Sequence, residues 1–339
     1  MILILSRDEL EDTTNRVIDW LDYFGANYVR LNGAEFNQEV VIEDGKMVLD
    51  SIDLDRVNII WNRRWISKLP IDETKEAHLD AIGAKNAYHL LSSLLDETHA
   101  LKACFNRLLA SKKWTTKPYM VTANKLQNLT LATQCGLQTP KYIITTKKKI
   151  VSRFLKNHHR VICKPIAEVP TFSAQTNENT TESLIIYTSS YEADQLIEEL
   201  PESFKMSMFQ QEIDKEYEIR VFYLNGACYS MAIFSQQDPQ TSVDFRNYNR
   251  KRPNRNVPFK LPLEIEDAII EFCKKGGYTI GSIDLIKSKD GGYYFLEINP
   301  VGQFGMVSYP CNYNLEKKLA KYLIDEDQFI SERNLKELV

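Results

Sequence analysis

The chain has 339 residues, of which 43% are hydrophobic and 26% charged, the composition of a soluble globular protein with room for two or three domains. Its formal net charge of -4 argues against a wide nucleic-acid-binding surface, and no apolar run approaches the roughly 18 residues of a membrane helix. The six cysteines form no C-x-x-C pair and are typical of reduced thiols. We therefore expect a cytoplasmic protein with no nucleic-acid or membrane partner.

The N-terminal third predicts alternating strands and helices, so the expected fold class is α/β. The first helix has apolar residues at helical spacing and could be capped by Asp12 or Thr13. A polar, basic stretch at 111–118 follows the last helix, so we predict a first domain over residues 1–115. The predicted strands are 1–5, 26–31, 40–42, 47–49 and 58–61, with a hairpin between the third and the fourth, and the predicted helices are 13–24 and about 73–109.

The rest of the chain predicts two regions that differ in their strand content. A polar stretch at 167–183 predicts either a mobile loop or a solvent-facing hairpin, and strands dominate after residue 207. We therefore predict a central domain over 116–200 and a C-terminal domain over 201–339. The predicted helices are 124–135, which Gly136 ends, 147–157, 191–200, 262–275 and 312–325, and the predicted strands are 141–145, 160–164, 184–188, 207–211, 217–224, 227–234, 281–287 and 293–299.

The strongest chemical signal is a set of oxygen-bearing side chains on two C-terminal strands. Glu297 and Asn299 are two residues apart, so both side chains leave the same face of one strand. If Asp284 lies on the neighbouring strand, three oxygen ligands converge, which is the ligand type that Mg²⁺ prefers. The alternative is a polar strand edge followed by a plain Asn-Pro turn. The otherwise apolar strand favours the metal site.

Two lysines are placed to reach a bound phosphate. Lys125 opens the helix predicted at 124–135, and Lys164 ends a buried strand immediately before Pro165. A lysine ammonium at a sheet edge would act as a compact point charge on phosphate. Taken alone, either lysine is more often a solvated surface residue, so their significance depends on the other signals.

The segment from Gln210 to Arg220 could contact a nucleotide. The strand end at Glu212 and Ile213 can offer backbone groups to the edge of an adenine. Glu218 could accept hydrogen bonds from ribose hydroxyls, and Arg220 could clamp an anion bidentately. An ordinary half-buried strand, in which charged and apolar residues alternate, explains the same pattern equally well.

A basic run follows the motif Asp244-Phe-Arg246. The run, from Arg250 to Arg255, could form an electropositive rim that attracts an acidic substrate. Without context, however, a solvated loop is the favoured interpretation of such a run.

Two further arginines stand between indoles at the end of a buried strand. Arg63 and Arg64 lie between Trp61 and Trp65, where they could hold an anionic or peptide ligand by hydrogen bonds and stacking. A contact that fastens two domains together is an equally good interpretation of this motif.

In chain order, these residues resemble the ATP-grasp superfamily, most of all the branch that includes the ribosomal-protein S6 glutamate ligase. The motifs Trp61-Asn-Arg-Arg-Trp and Leu296-Glu-Ile-Asn-Pro-Val-Gly-Gln-Phe304 look like the graspetide maturases, which make microviridin-type peptides with ω-ester or ω-amide rings. The resemblance is greatest to the grasp-with-spasm maturases and covers essentially the whole chain. It implies an ATP-grasp fold of α+β lobes, preceded by an N-terminal α/β domain.

The resemblance also implies roles for single residues, with two departures from the family pattern. Glu218 stands where many relatives have Asp, and the stretch 167–183 lacks the glycine-rich lid of many ATP-grasp enzymes. The implied roles are ATP phosphates for Lys125 and Lys164, adenine for Glu212 and Ile213, ribose for Glu218, the phosphates for Arg246, and Mg²⁺ for Asp284, Glu297 and Asn299. For the mechanism that follows, Arg220 and Arg246 are the expected catalytic residues, and Arg63 and Arg64 are the expected contacts to the substrate peptide.

The implied activity is that of an ATP-dependent carboxylate ligase acting on a ribosomal precursor peptide with a leader and a core. ATP phosphorylates an Asp or Glu side chain, and a Ser, Thr or Lys side chain then displaces phosphate. ATP and Mg²⁺ are the expected cofactors, and a homodimer is the expected assembly. Two alternatives stay open: a ligase that adds free amino acids to a protein or peptide terminus, and a non-catalytic peptide-binding protein. The complete set of Lys, Asp, Glu and Asn residues argues against the second.

Overall fold

The computed structural model describes residues 1–7, 11–33, 36, 40–44, 46–49, 52–63, 65, 82–167, 172–177, 180–184, 189–245, 247 and 249–337. The chain divides into two compact units, one formed by Met1–Val121 with Asn314–Val339 and the other by Thr122–Tyr313. The division into 1–115, 116–200 and 201–339 stays a prediction. Over the described ranges, the helices include none with the length and apolar character needed to cross a membrane.

Helices and strands are mixed along the chain, as the predicted α/β class requires. The strands are β1 (Ile2–Ser6), β2 (Tyr28–Asn32), β3 (Val40–Glu43), β4 (Lys46–Leu49), β5 (Ile59–Asn62), β6 (Lys113–Trp114), β7 (Tyr142–Lys147), β8 (Arg160–Lys164), β9 (Phe172–Asn177), β10 (Thr180–Leu184), β11 (Ser189–Glu192), β12 (Ser203–Gln211), β13 (Lys215–Leu224), β14 (Ala227–Phe234), β15 (Arg255–Phe259), β16 (Ile280–Ser288) and β17 (Tyr293–Asn299). The helices are α1 (Asp12–Tyr23), α2 (Ala84–Leu108), α3 (Lys125–Gln134), α4 (Lys148–Leu155), α5 (Ala193–Glu199), α6 (Leu263–Gly276), α7 (Gly305–Cys311) and α8 (Leu315–Glu337).

The first unit is built on a parallel sheet with the strand order β2-β1-β5-β6. Strands β1 and β5 are buried along their whole length, as expected for the nearly continuous apolar runs of a parallel sheet covered on both faces. Their carboxyl ends lie at one edge, which carries the buried polar residues Ser6 and Asn62. The predicted hairpin within 40–49 is confirmed by the antiparallel pairing of β3 with β4.

The C-terminal helix α8 belongs to this first unit. The amino group of Met1 lies 2.5 Å from Oδ1 of Asp327, and the side-chain amide of Asn58 donates to the same oxygen at 2.6 Å. Helix α8 also packs against α1. It begins at Leu315 and continues well beyond the predicted end at 325, because its polar last turns are rich in good helix formers although they carry no apolar stripe.

The second unit contains two antiparallel sheets, with the strand orders β11-β8-β12-β7 and β15-β14-β13-β16-β17. Its core joins apolar side chains from both, including Met208 of β12 and Val221 of β13, with Phe272 of α6. Helix α3 packs against β17 and α6. Strands β9 and β10 pair as an antiparallel hairpin, which confirms the hairpin interpretation of the stretch 167–183.

The differences from the predicted elements have local causes. Strands β8, β14 and β17 have the predicted bounds, whereas β15 and α7 were not predicted. Strand β15 contains Pro258 and is an edge strand, where a missing N–H is tolerated. Helix α7 contains Pro310, a residue type that disfavours the interior of a helix. Residues 185–188 of the strand predicted at 184–188, and the start of the helix predicted at 73–109, lie outside the described residues.

Candidate functional site

A cavity of about 590 Å³ in the second unit is lined by residues of both antiparallel sheets. Strands β8 and β12 contribute from one sheet, and β13, β16 and β17 contribute from the other. Its wall therefore gathers residues that lie far apart in sequence. The predicted site residues that line it are Lys125, Lys164, Glu212, Ile213, Glu218, Arg220, Asp284, Glu297 and Asn299.

Three charged side chains form a row across neighbouring strands of the larger sheet. Arg220 of β13 is the cross-strand partner of Asp284 on β16, and Asp284 is the partner of Glu297 on β17. Cross-strand partners project from the same face of a sheet, so the row faces the cavity. Nη1 of Arg220 lies 2.6 Å from both carboxylate oxygens of Asp284. The two side chains are only 10% and 12% exposed, so water screens this pair weakly.

Asn299 completes a set of oxygen donors beside this row. It lies two residues after Glu297 on the same face of β17, and its partner Ser282 lies two residues before Asp284. Over the described part of the chain, no group of three or more His, Cys, Asp or Glu residues could hold a metal ion. A cation site here would draw on two carboxylates and the amide oxygen of Asn299. Two carboxylates and one amide oxygen fit Mg²⁺, which keeps water and phosphate oxygens as its other ligands.

Lys125 is positioned by the start of helix α3. The side chain of Asn124 caps this helix by accepting hydrogen bonds at 3.1 Å from two backbone N–H groups of the first turn. Nζ of Lys125 lies 3.3 Å from Oε2 of Glu297 and donates to the carbonyl of Pro165 at 3.3 Å. The ammonium of Lys125 thus lies at the Glu297 end of the carboxylate row.

Lys164 and Glu212 lie at the ends of neighbouring strands of the smaller sheet. Lys164 ends β8 opposite Met208 of β12, and its side chain lines the cavity. The carboxylate of Glu212 lies 3.3 Å from Arg160 and accepts a hydrogen bond from Ser190. Its backbone N–H donates to the carbonyl of Arg160 at 3.2 Å. An adenine contact by the backbone of Glu212 would therefore come from its carbonyl.

Glu218 lies in a buried polar cluster on the cavity wall. Nζ of Lys215 donates to Oε1 of Glu218 at 2.5 Å and to the carbonyl of Val243 at 2.9 Å, and Ser235 donates to Oε2 of Glu218. Burial raises the pKa of the Glu218 carboxyl, while Lys215 and Ser235 act in the opposite direction. The ammonium of Lys215 therefore favours the ionised form that a ribose-binding carboxylate needs.

Lys215 was missed at the sequence level for a geometric reason. It precedes Glu218 by three residues, and strict alternation along a strand puts residues at that spacing on opposite faces. The pairing of β13 with β16 shifts register between Lys215 and Tyr217, which is the signature of a β-bulge. The shift allows the lysine to reach Glu218, and the alternating pattern of the sequence carries no sign of it.

The family follows from a sequence comparison. The model of the RimK-like ATP-grasp domain matches residues 122–323. The chain belongs to the RimK-like ATP-grasp family. The predicted ATP-grasp family and fold are thereby confirmed. None of the curated protein sequences matches this ATP-grasp chain.

Solved structures share the ATP-grasp fold over nearly the whole chain. A RiPP-associated ATP-grasp ligase of Chryseobacterium gregarium, in complex with ADP and a leader and core peptide, is 22% identical, with a TM-score of 0.74 over 96% of this chain and 95% of that one. The macrocyclase MdnC of Microcystis aeruginosa MRC, bound with precursor peptide MdnA, is 21% identical, with a TM-score of 0.73 over 95% and 98%. The ATP-grasp ligase PsnB, complexed with a phosphomimetic variant of a minimal precursor, Mg and ADP, is 18% identical, with a TM-score of 0.74 over 96% and 98%.

Of the remaining predicted site arginines of this ATP-grasp protein, Arg63 is described by the structure and is not among the residues that line the cavity. Arg64 and Arg246 lie outside the described residues. Arg63 lies in the first unit and is 1% exposed, with Nε 3.3 Å from Oγ1 of Thr14 and 3.7 Å from Oε2 of Glu11. A peptide cannot contact the Arg63 side chain in this conformation, so its predicted role in substrate binding stays a prediction with no geometric support.

Proposed function

We propose that this ATP-grasp protein is a ligase that uses ATP to join side chains within a ribosomally made precursor peptide. It phosphorylates Asp or Glu side chains and closes ω-ester or ω-amide rings with Thr, Ser or Lys side chains. The observation that carries the proposal is one cavity that holds Lys125, Lys164 and Asn299 together with the Arg220–Asp284–Glu297 row. A peptide with a leader and a core is supported as the substrate by similar folds, since the Chryseobacterium gregarium ligase is in complex with a leader and core peptide and MdnC is bound with a precursor peptide.

In this proposal, the nucleotide lies between the two sheets of the second unit. Lys125 and Lys164 bind the ATP phosphates, because both ammonium-bearing side chains line the cavity. The strand end at Glu212 and Ile213 contacts the adenine, and Glu218 accepts hydrogen bonds from the ribose. Each Glu218 oxygen already accepts one hydrogen bond from the protein and has room for another.

Asp284, Glu297 and Asn299 are the proposed Mg²⁺ ligands. The two carboxylates are cross-strand partners and the amide lies on the same face of β17, so all three oxygens are offered to one cavity. When bound, Mg²⁺ neutralises charge on the phosphate oxygens and orients them for transfer.

The reaction proceeds in two steps. A carboxylate oxygen of the peptide attacks the γ-phosphorus of ATP, and the bond from that phosphorus to the β–γ bridging oxygen breaks, which gives an acyl phosphate and ADP. A hydroxyl oxygen or amine nitrogen of the same peptide then attacks the acyl carbon, and the phosphate leaves with the proton of the nucleophile. Each ring therefore removes one water from the peptide and converts one ATP to ADP and phosphate.

Arg220 is the proposed catalytic residue within the described cavity. Its guanidinium orients the reacting carboxylate and stabilises the oxyanion that forms during attack on the acyl phosphate. Arg246, which lies outside the described residues, is proposed as a second catalytic cation near the phosphates. Because ring closure is intramolecular, holding the peptide near its attack geometry can supply about 7–11 kcal/mol of the barrier.

A homodimeric assembly and a cytoplasmic location complete the proposal. The homodimer is supported by the resemblance of the sequence to the graspetide maturases. The location is supported by the cysteines, all of which are free thiols as expected in a reducing compartment.

The test is incubation of the protein with ATP, Mg²⁺ and the precursor peptide encoded beside its gene. Mass spectrometry should show the loss of one water per ring, with one ADP released for each. Asp284→Asn should abolish both signals, because it removes a metal ligand and the partner of Arg220. Asp214→Asn is the matched control, because Asp214 forms an exposed ion pair with Lys289 and should not affect turnover.

Three results would contradict the proposal. A mass gain that depends on added free amino acid would identify a terminal ligase. Peptide binding without ADP release would identify a non-catalytic binding protein. If the precursor peptide binds tightly and its mass does not change, ring closure is excluded.

A further inference from the structure

Gln210 is a buried amide on the wall of the nucleotide cavity. It lies on β12 opposite Ile162 of β8, two residues after the core residue Met208 and two before Glu212. The residue is 3% exposed, and it lines the cavity together with Ile162 and Ile213. An amide is thus held among apolar side chains where the adenine is proposed to lie.

The amide nitrogen of Gln210 has no hydrogen-bond acceptor among the residues that the structure describes. Other amides on the same wall are bonded to the protein: Asn128 accepts from Tyr278 at 2.7 Å, and Gln211 accepts from the backbone of Lys141 at 3.4 Å. A buried donor without a partner costs free energy, and native proteins rarely keep one without a purpose. We therefore expect the amide nitrogen of Gln210 to donate to a ligand in the cavity.

We propose that Gln210 recognises the adenine base and selects it over guanine, an inference that rests on the proposed nucleotide site. A glutamine amide can pair with adenine through two hydrogen bonds, accepting from the N6 amine and donating to N7. Guanine has an oxygen in place of that amine, so the glutamine oxygen would face a second acceptor. Rotation of the amide about its last torsion does not remove this conflict, because guanine presents two acceptors, O6 and N7, on that edge and the glutamine oxygen faces one of them in either orientation.

A ligand-binding role and a structural role predict opposite effects on the stability of the nucleotide-free protein. If the amide serves the nucleotide, replacing it by an apolar group of similar size removes an unsatisfied donor. The stability should then stay the same or rise, while adenine binding weakens. If the amide instead supports the fold, the same substitution lowers stability and leaves nucleotide binding unchanged.

The experiment uses the full chain with Gln210→Leu and, as a second apolar variant of different shape, Gln210→Met. Titration calorimetry measures the Kd of MgADP and of MgGDP, and thermal unfolding measures the Tm without nucleotide. We expect the Kd for ADP to rise about tenfold in both variants, the Kd for GDP to change little, and the Tm not to fall.

Asn58→Leu is the control for a bonded buried amide. Asn58 lies in the first unit and donates to Asp327 at 2.6 Å and to Ser331 at 2.8 Å, so its loss should lower the Tm and leave the Kd for ADP unchanged. The proposal is overturned if the Gln210 variants keep the wild-type preference for ADP, or if both lose stability as Asn58→Leu does. Wild-type protein that binds no ADP would instead refute the proposed nucleotide site itself.

Discussion

The Arg63–Glu11 pair of the first unit and the Arg220–Asp284 pair of the second have the same chemistry in different surroundings. The side chains of Arg63 and Glu11 are each 1% exposed, and both contact Thr14. Arg220 and Asp284 are slightly more exposed and line the cavity of the second unit. Both pairs bury an arginine against a carboxylate, but only the second of the two lines a cavity.

The difference shows that burial alone does not separate a structural arginine from one proposed to be catalytic. A fully buried ion pair away from a cavity affects only folding and stability, because a ligand cannot reach it. A pair on a cavity wall keeps its desolvated, strongly interacting charges and also has access to substrate. In the sequence, Trp61 and Trp65 on either side of Arg63 indicated a ligand contact as much as a structural one. In the structure both indoles are buried in the first unit.

The largest expected effect is on stability, from Arg63→Met. Removing Arg63 leaves the buried carboxylate of Glu11 with a longer ion pair to Arg7, at 3.6 Å, so the free energy of unfolding should fall by about 3 kcal/mol, the lower end of the range for breaking a buried ion pair. Urea unfolding measures the loss, and Arg16→Met is the control, because Arg16 pairs with Asp12 on an exposed helix face. The fraction that remains folded should keep its turnover. If Arg63→Met is fully stable but has reduced turnover, then Arg63 acts in turnover and not in folding, and the two pairs do not differ in the way described.

The next effect is on catalysis, from Arg220→Met. Loss of the guanidinium should lower kcat at least about 100-fold, because a positioned cation at the reacting carboxylate is removed. The stability loss should be smaller than that of Arg63→Met, because cavity water can reach Asp284. Steady-state release of ADP with the precursor peptide checks this, with Lys289→Met on an exposed ion pair as control. Unchanged turnover would show that this pair, too, is structural.

The smallest expected effect is on the pH dependence of ATP binding, from Lys215→Met. Lys215 opposes the rise in the pKa of Glu218 that burial causes, so its removal raises that pKa further. Glu218 then ionises only at higher pH, and the KM for ATP should increase about tenfold or less at neutral pH and recover as the pH rises. Lys215→Arg, which keeps the charge, should retain the wild-type profile. If the wild type, Lys215→Met and Lys215→Arg all have the same pH profile of the KM for ATP, the ionisation of Glu218 does not affect nucleotide binding.

Stability should respond to the same carboxyl group with a definite sign. Because the pKa of Glu218 is raised in the folded protein, the native state binds this proton more tightly than the unfolded chain does. The contribution of Glu218 to stability is therefore greatest below the unfolded pKa, about 4.3, and declines as the pH rises through the folded value.

Much of the site could be predicted from local patterns. The spacing of two residues between Glu297 and Asn299 is enough to put both on one face, because alternation is a local property of strands. The helix that begins at Lys125 and ends before Gly136 was predictable, because Asn124 caps it and Gly136 adopts a φ of +88°. The tight turn at Asn225-Gly226 follows from local residue preference in the same way.

The contacts of these residues could not be predicted in this way. The pairing of Asp284 with Arg220 depends on the register of β13 against β16, and that register includes a bulge that no residue pattern signals. The approach of Lys125 to Glu297 depends on the packing of α3 against β17. Neither contact is a property of a single segment.

By itself, the sequence determined the secondary structure of most of the second unit, the face on which each strand displays its polar residues, and the ordered set of side chains that resembles the ATP-grasp family. Only the tertiary structure decided which arginine is fully buried and which lines a cavity, that Lys215 donates to Glu218, and that the amide nitrogen of Gln210 is buried without an acceptor among the described residues. Propensity and alternation act over a few residues, whereas burial and partner choice depend on chain segments that meet only after folding.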